Sequence, residues 1–407
     1  MKILQVNCVY NTGSTGKITY EIHRSLKAQG IESVVYYGRG EKCEDEDVHK
    51  ICGEVYAKFQ NLRSRVTGLM YGGCGLSTNR LITCIQKEKQ DLVHLQCING
   101  YFVNIYRLVQ WLKEQKIKTV LTNHAEFMYT ANCGHAFECD QWKLGCGNCP
   151  RLKKATKSLF FDRTRDSFQK MEQAFEGFGE NMEVVTVSPW LQQRAMQSPI
   201  LKDLHHEVIY NGIDTEIFCI QDTENLRNRH KIGKKKCIFH ATAMFSDAPG
   251  HPKGGEYLIR LAEKFREREV VFLVAGEQQI SGQLPENMIL LGKVQDQKLL
   301  AKYYAMADLS VITSKRESFS MPCVESLCCG TPVIGFQAGG PEEISIPEYS
   351  EFVEFGDLDA LEKCTEKWLN KTDVDRKDIS ASAGRIYSKK EMTEQYIRLY
   401  RRMLDES

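Results

Sequence analysis

Ser314-Lys315-Arg316-Glu317-Ser318-Phe319-Ser320-Met321-Pro322-Cys323-Val324-Glu325-Ser326-Leu327-Cys328-Cys329-Gly330-Thr331-Pro332-Val333-Ile334 carries the clearest local instructions in the chain. The apolar residues Leu309–Thr313 before it read as a short strand. Pro322 stands where a first helical turn tolerates proline best, Gly330 suits a helix end, and Pro332 opens another apolar run. Strand, loop, helix and strand in that order form one unit of a doubly wound parallel sheet. In such a unit the helix start turns unpaired amides, here around Ser320 to Cys323, toward the carboxyl edge of the sheet. Ligands bind at that edge, and a diphosphate is favoured there. Glu317 and Glu325, one before the helix and one on its first turns, can both accept hydrogen bonds from sugar hydroxyls. The same positions also suit a solvated loop residue and an ordinary polar-face residue.

Working outward, short strand-like runs alternate with longer helical patterns almost from end to end, which gives an α/β fold. The first half predicts strands at Lys2–Val9, Ser33–Tyr37, Leu92–Leu95, Thr119–Thr122 and Glu183–Val187, with helices Thr19–Gln29, Val103–Glu114 and Thr164–Phe175. The second half predicts strands at Cys237–Thr242, Val270–Ala275, Met288–Leu291, Leu309–Thr313 and Pro332–Phe336, separated by helices Gly255–Arg266, Gln297–Ala305 and Pro322–Cys329. The expected domains are 1–205, completed by a final helix within 388–407, and 206–387.

The chain has 407 residues, more than one ordinary core accommodates. Its net charge of +1, with no long block of one sign, leaves no footprint for nucleic acid. No apolar run is long enough to span a bilayer and no secretory leader pattern opens the chain, so a cytoplasmic protein is expected, peripheral at most on the inner face of the cell membrane. Many of the 16 cysteines lie in apolar runs and read as small buried hydrophobes of a reducing compartment.

Near the start, Asn11-Thr12-Gly13-Ser14-Thr15-Gly16-Lys17-Ile18 looks at first like a triphosphate loop. Asn11 stands where that motif needs its first glycine and Ile18 where it needs a hydroxyl, so the reading is a turn whose amides face a polar ligand. Later, Cys133, Cys139, Cys146 and Cys149 fall within seventeen residues of a loop at 131–150. A structural four-thiolate zinc site, with His135 as a substitute ligand, is one reading; reduced thiols packed in a loop and two disulfides are the others.

The set of landmarks resembles retaining glycosyltransferases of family 4, which have the two-domain GT-B fold. The resemblance rests on Glu317 and Glu325, the following Cys-Gly-Thr-Pro-Val-Ile-Gly-Phe, and Gly339-Gly340-Pro341-Glu342-Glu343-Ile344. Further matches are Asp91-Leu92-Val93-His94-Leu95, Thr122-Asn123-His124, Val187-Ser188-Pro189-Trp190-Leu191 and Tyr210-Asn211-Gly212-Ile213-Asp214. The bacterial capsular and exopolysaccharide type with a cysteine-rich insertion is the nearest pattern.

The resemblance implies two Rossmann-like doubly wound domains facing across a crevice. It makes Glu325 the ribose ligand and Glu317 the sugar ligand, with Arg316, Ser318, Phe319, Ser320 and Met321 around the donor. Lys253 falls to the leaving diphosphate, and Gly13 and Gly16 to a flexible lip near it. His124 joins Lys253 and Glu317 as a catalytic group, while His94, Asn99 and Glu126 stand on the acceptor side. Relatives commonly carry an Arg shortly before the lysine; here that interval holds Met244, Phe245 and Ser246.

The implied reaction moves a hexose-type unit from a nucleotide diphosphate sugar to a saccharide or lipid-linked saccharide, with no catalytic metal. Lys113, Lys116 and Lys118 are the basic residues placed to approach anionic headgroups. A GT-B nucleotide-sugar epimerase or phosphorylase, or a zinc-stabilised binding or scaffold protein with a decayed site, would share the landmarks.

Overall fold

The computed structural model of the chain describes residues 1–405. They divide into two compact units, Met1–Tyr210 with the residues from Met392 onward, and Asn211–Glu391. The first contains β1 (Lys2–Asn7), β2 (Glu32–Tyr37), β3 (Val48–Lys50), β4 (Leu92–Leu95), β5 (Lys118–Asn123), β6 (Met182–Thr186) and β7 (His205–Val208). These seven strands pair in parallel in the order β3-β2-β1-β4-β5-β6-β7. The boundary expected at 205 would cut into β7, whose His206 lies opposite Val184; the first unit runs on to Tyr210.

The second unit holds β8 (Lys236–Ser246), β9 (Val270–Gln279), β10 (Met288–Gly292), β11 (Leu309–Ile312), β12 (Val333–Phe336) and β13 (Ser350–Val353). Its six-stranded sheet runs β10-β9-β8-β11-β12-β13, also parallel. Buried on both faces, β4, β11 and β12 are continuous apolar runs apart from His94, Ser310 and Gly335. That is the expected pattern for a sheet covered by helices on each side.

In the first unit, Ile18, Ile22 and Leu26 of the helix Gly13–Ala28 pack with Ile3, Leu92 and Val120. Met392, Tyr396, Ile397, Leu399, Tyr400 and Met403 from the last helix, Lys389–Asp405, complete that core. The spacing of those residues places them on one helical face. In the second unit, Leu258, Leu261 and Phe265 meet Phe272, Val311, Ile334 and Trp368. The segments by which the chain enters and leaves that unit pair there: Ile213 N–H donates to Tyr387 O at 2.8 Å, and Lys389 N–H donates to Ile213 O at 2.8 Å.

Candidate functional site

In the second unit the sheet winds outward from β8 through β9 to β10, then restarts on the other side of β8 with β11. The carboxyl ends of β8 and β11 therefore flank a topological switch point, where the connections part and leave room for a ligand. His240, midway along β8, donates Nδ1–H to Val311 O of β11 at 2.8 Å. The carbonyl can only accept, so the neutral ring carries its proton on Nδ1 and presents Nε2 as an acceptor. Nε2 is buried without a hydrogen-bond partner among the described residues. Burial pulls the His240 pKa down to about 4, and the site's Lys253 and Glu317 both act on its charge.

The two loops leaving this switch point are pressed together. Lys315 N–H donates to Pro252 O at 2.8 Å, and Thr313 Oγ1 donates to Lys253 O at 3.2 Å. Gly254 has φ +64°, and a Cβ there would stand 1.9 Å from Thr313 O, so the approach requires glycine. The result is that Lys253 Nζ sits 2.6 Å from Glu317 Oε1.

Glu317 is fixed from the other side by its backbone. Its N–H donates to Ala338 O at 3.0 Å, and its carbonyl accepts from Gly340 N at 2.9 Å. Glu342 receives the amides of Ala338 and Gly339 at 2.9 and 2.8 Å and so caps the helix that follows. Arg316 is half-buried, while Ser318 and Phe319 are buried beside it. Ser320 is also buried, with φ +85°, and passes the chain into the helix Met321–Cys328. Glu325 on that helix accepts from the buried Tyr304 hydroxyl at 3.0 Å. One run of chain thus carries Arg316, Glu317, Ser318, Phe319, Ser320, Met321 and Glu325, and Lys253 meets it directly.

The missing arginine has a structural counterpart. Met244, Phe245 and Ser246 continue β8, paired with Glu277, Gln278 and Gln279 after an irregularity at Ala241. The interval is strand rather than loop. Lys315, on the loop beside Glu317, holds its ammonium 5.7 Å from the centre of the Phe355 ring.

The first unit has its own switch point, between β1 and β4. Asn7 ties the two together, accepting from Cys97 N at 3.0 Å and donating to Thr19 Oγ1 at 2.9 Å. The glycine turn is not a loose lip, because the helix begins at Gly13 and the turn closes on itself, with Asn11 N–H donating to Gly16 O at 2.9 Å. Gly16 is buried, and a Cβ on it would lie 3.1 Å from Val9 Cγ2 and 3.2 Å from Asn11 N, a tight fit against its own turn. Gly13 is exposed with φ +65°.

At the end of β5, both amide atoms of Asn123 and the Nε2 of His124 are buried without partners among the described residues. Leaving such groups unmade costs about 1–3 kcal/mol each, and their grouping at a strand end points to a polar ligand. Burial draws the His124 pKa down to about 4.

The three acceptor-side candidates each have partners within the first unit. His94 is fully buried; its Nδ1 meets Tyr400 Oη at 2.7 Å and its Nε2 meets Thr122 Oγ1 at 2.8 Å, so it fastens the last helix to the sheet. Glu126 is also fully buried. Its Oε2 accepts from Arg194 and Tyr129, both at 2.9 Å, and His135 lies 3.7 Å away. Burial would raise its carboxyl pKa, but His135, Arg194 and Tyr129 outweigh that and hold it low. Asn99 is half-buried, its Oδ1 accepting from Cys97 Sγ at 2.8 Å and its carbonyl from Tyr71 at 2.7 Å. Lys113 is likewise occupied, donating to Gln173 O and Glu176 O at 3.0 and 2.7 Å.

The cysteine loop brings its four thiols near one another. All 16 cysteines are free, and no group of three or more His, Cys, Asp or Glu among the described residues is arranged to hold a metal ion. Cys133, Cys139, Cys146 and Cys149 are near enough to influence one another, and burial pushes the Cys133 and Cys146 thiols up to about 12. Order comes instead from Trp142, which is buried, donates to Cys139 O at 2.8 Å and packs 4.8 Å from the Tyr129 ring.

His240, Asn123 and Tyr304 were not singled out from the sequence as site residues. His240 and Tyr304 lie in apolar runs where composition predicts core. Only the strand order, which brings β11 beside β8, reveals His240.

Residues 15–217 match the model of Glycosyltransferase Family 4, and residues 222–385 match that of Glycosyl transferases group 1. WcaC of Escherichia coli strain K12, named for glycosyl transfer in colanic acid biosynthesis, is 20% identical over 99% of this chain and 100% of its own length. A glycosyltransferase structure from Rickettsia africae superposes with a TM-score of 0.69, 17% identity, and coverage of 100% of this chain and 99% of that one. The Anabaena protein HepE, solved with UDP and glucose, superposes with a TM-score of 0.66 at 16% identity, covering 98% of this chain and 99% of its own.

Proposed function

Because the chain belongs to the glycosyltransferases of the two-domain GT-B fold, with family models matching nearly its whole length, we propose that it transfers a sugar from a nucleotide diphosphate sugar with retention of configuration. The acceptor is a saccharide or lipid-linked saccharide of a surface polysaccharide. The similarity to WcaC supports the pathway class, and the UDP and glucose held by HepE support the donor class.

The observation that carries this reading is the Lys253–Glu317 pair, 2.6 Å apart at the switch point of the second sheet. It sits beside a loop that leads into the start of the helix Met321–Cys328. A carboxylate accepts from sugar hydroxyls; an ammonium and helix-start amides stabilise a departing diphosphate. In the resting site the two charges hold each other in place. When donor binds, the Lys253 ammonium turns to the phosphate oxygens while Glu317 orients the sugar, and Glu325, steadied by Tyr304, takes the ribose hydroxyls. The bond from the anomeric carbon to the diphosphate oxygen breaks, and a new bond forms to the acceptor oxygen on the same face. The acceptor's proton passes to the leaving diphosphate, so no separate base is needed. The neutral imidazole of His124 and the amide of Asn123 hold hydroxyls at the end of β5.

The test is a thermal-shift screen of nucleoside diphosphates and their sugars, since a ligand at about 100 times its Kd stabilises by roughly 2.7 kcal/mol. It is followed by measurement of nucleoside diphosphate release with and without acceptor. Binding with acceptor-dependent release is expected; absence of any shift across the screen overturns the donor site.

A further inference from the structure

The helix Glu54–Thr67 in the first unit buries Ala57, Gln60 and Ser64 on one side and presents an apolar stripe on the other. Val55 is 83% exposed, Phe59 61%, Leu62 53% and Val66 39%. Spacings of four, three and four residues put all of them on a single face. A second segment abuts the end of this helix: Leu159 N–H donates to Arg65 O at 2.8 Å, and a Cβ on Gly68 would lie 2.2 Å from Phe161 O. That segment exposes Leu159, Phe160 and Phe161, the last two by 70% and 55%. Scattered exposed apolar residues need no explanation, whereas a contiguous ridge of large ones marks an interaction surface.

The charges around the ridge are predominantly basic. Lys58, Arg63 and Arg65 lie on the helix, and Lys153, Lys154 and Lys157 lie just before the two phenylalanines. The two acids that border these stretches are already engaged: Glu54 pairs with Arg39 and Lys50, and Asp162 accepts from the amides of Cys149 and Thr164. A second copy of the chain seated on this face by a two-fold axis would set these cations against their own images. An anionic surface complements them instead, and aromatic and aliphatic side chains with a lysine and arginine rim suit the headgroup boundary of a bilayer.

We infer that the ridge formed by Val55, Phe59, Leu62, Val66, Phe160 and Phe161, with its basic rim, docks the chain on an anionic lipid surface. This gives the lipid-linked acceptor of the proposed reaction a place of delivery, and so rests on that reading for its purpose. Vesicle binding is measured without donor, acceptor or turnover, so the two stand or fall separately.

The experiment is flotation of the full chain with vesicles of phosphatidylcholine alone or with about a third phosphatidylglycerol. The bound fraction should rise about tenfold on the anionic vesicles and fall severalfold in about 0.5 M salt, where exposed charges are screened. Phe59→Ser with Leu62→Ser, and Phe160→Ser with Phe161→Ser, should each lower binding about tenfold, since each removes buried apolar area from the bound state. Lys153→Glu, Lys154→Glu and Lys157→Glu together should erase the anionic preference. As a gain of signal, the tryptophan emission of Phe160→Trp should shift to the blue on anionic vesicles and be quenched by brominated acyl chains. Indifference of the unaltered chain to anionic vesicles overturns the inference, and so does wild-type binding by the serine variants. A dimer in solution that Phe59→Ser with Leu62→Ser converts to monomer overturns it in favour of a second copy.

Discussion

Lys253 Nζ lies 2.6 Å from Glu317 Oε1, although 64 residues separate them in the chain. The contact exists because the loops after β8 and β11 converge at the point where the sheet reverses its winding. Both side chains keep part of their surface exposed, 34% and 20%, so ligand can reach them. Glu317→Gln preserves shape but removes the charge that orients the sugar. It should leave nucleoside diphosphate binding within a few-fold and lower kcat by about 10²-fold, the scale of one lost transition-state contact. Lys253→Met should weaken diphosphate binding as well as transfer. The double variant should lose less than the sum, because the two residues share one interaction. Isothermal titration and initial rates measure all three; strict additivity would show that the pair does not act as a unit.

Tyr304 donates to Glu325 at 3.0 Å from a fully buried position. Tyr304→Phe removes the bond without changing the ring packing against Phe239, whose centroid is 4.8 Å away. The loss of one hydrogen bond to a charged acceptor should cost about 1.5–3 kcal/mol. Kinetically it should appear as a raised KM for the donor with kcat retained, since Glu325 is assigned to the ribose and not to the reacting sugar. A fall in kcat with unchanged KM contradicts that assignment.

A histidine's position in the sequence did not reveal which of three buried imidazoles is structural. His94, His124 and His240 all follow apolar strand residues, His94 and His124 near a strand end and His240 midway along β8. The sheet order and the last helix decide among them. His94 is enclosed by Tyr396 and Tyr400, which are some 300 residues away in sequence, as the Tyr400 contact shows. The alternation of strands and helices was legible because parallel strands buried on both faces stand out as apolar runs. The short β3, the more exposed β7 and β13, and the helix beginning at Gly13 were not, because their apolar signal is brief or interrupted. The Glu317 to Glu325 run was legible because proline and glycine mark its boundaries. Lys253 was legible by resemblance alone; its partner required the fold.

Burial draws the pKa of His94 down to about 3 and that of His240 to about 4, against about 6.5 in an unfolded chain. A depressed histidine value means that the unfolded state takes up the proton first. Stability is then complete above about pH 6.5 and falls as pH drops toward the folded values, by up to about 1.4 kcal/mol per pH unit for each group. The midpoint of thermal unfolding should therefore decline between about pH 7 and pH 5. His240→Gln, which keeps a side-chain acceptor but cannot titrate, should show a shallower decline. Equal slopes for the variant and the unaltered chain would show that His240 does not contribute to it.

Gly340 ties the acidic loop to the neighbouring strand, since a Cβ on it would stand 2.5 Å from the Ser318 carbonyl carbon and oxygen. Gly340→Ala must push that backbone away, and with it Glu317, whose carbonyl accepts from Gly340 N–H. A displacement of about 1 Å at a reacting centre can cost about 10²-fold in rate, so transfer should fall by that order while the second unit stays folded. Circular dichroism and donor titration separate this from global unfolding. Retained activity would mean that the loop yields without moving its carboxylate.

The cysteine loop supplies the last test. With Trp142 buried and Cys133 held between Thr130 contacts, its N–H donating to Thr130 Oγ1 at 3.0 Å and its carbonyl accepting from that hydroxyl at 2.8 Å, the loop owes its order to packing and hydrogen bonds. Overnight chelation should therefore leave the unfolding midpoint and transfer rate unchanged, and elemental analysis of purified chain should find well under one zinc per molecule. Trp142→Ala should destabilise by about 3–5 kcal/mol, the range for deleting a large buried aromatic. One bound zinc whose removal lowers the midpoint by several degrees would instead mean that the four thiols close around a metal, as in the four-thiolate reading of Cys133, Cys139, Cys146 and Cys149.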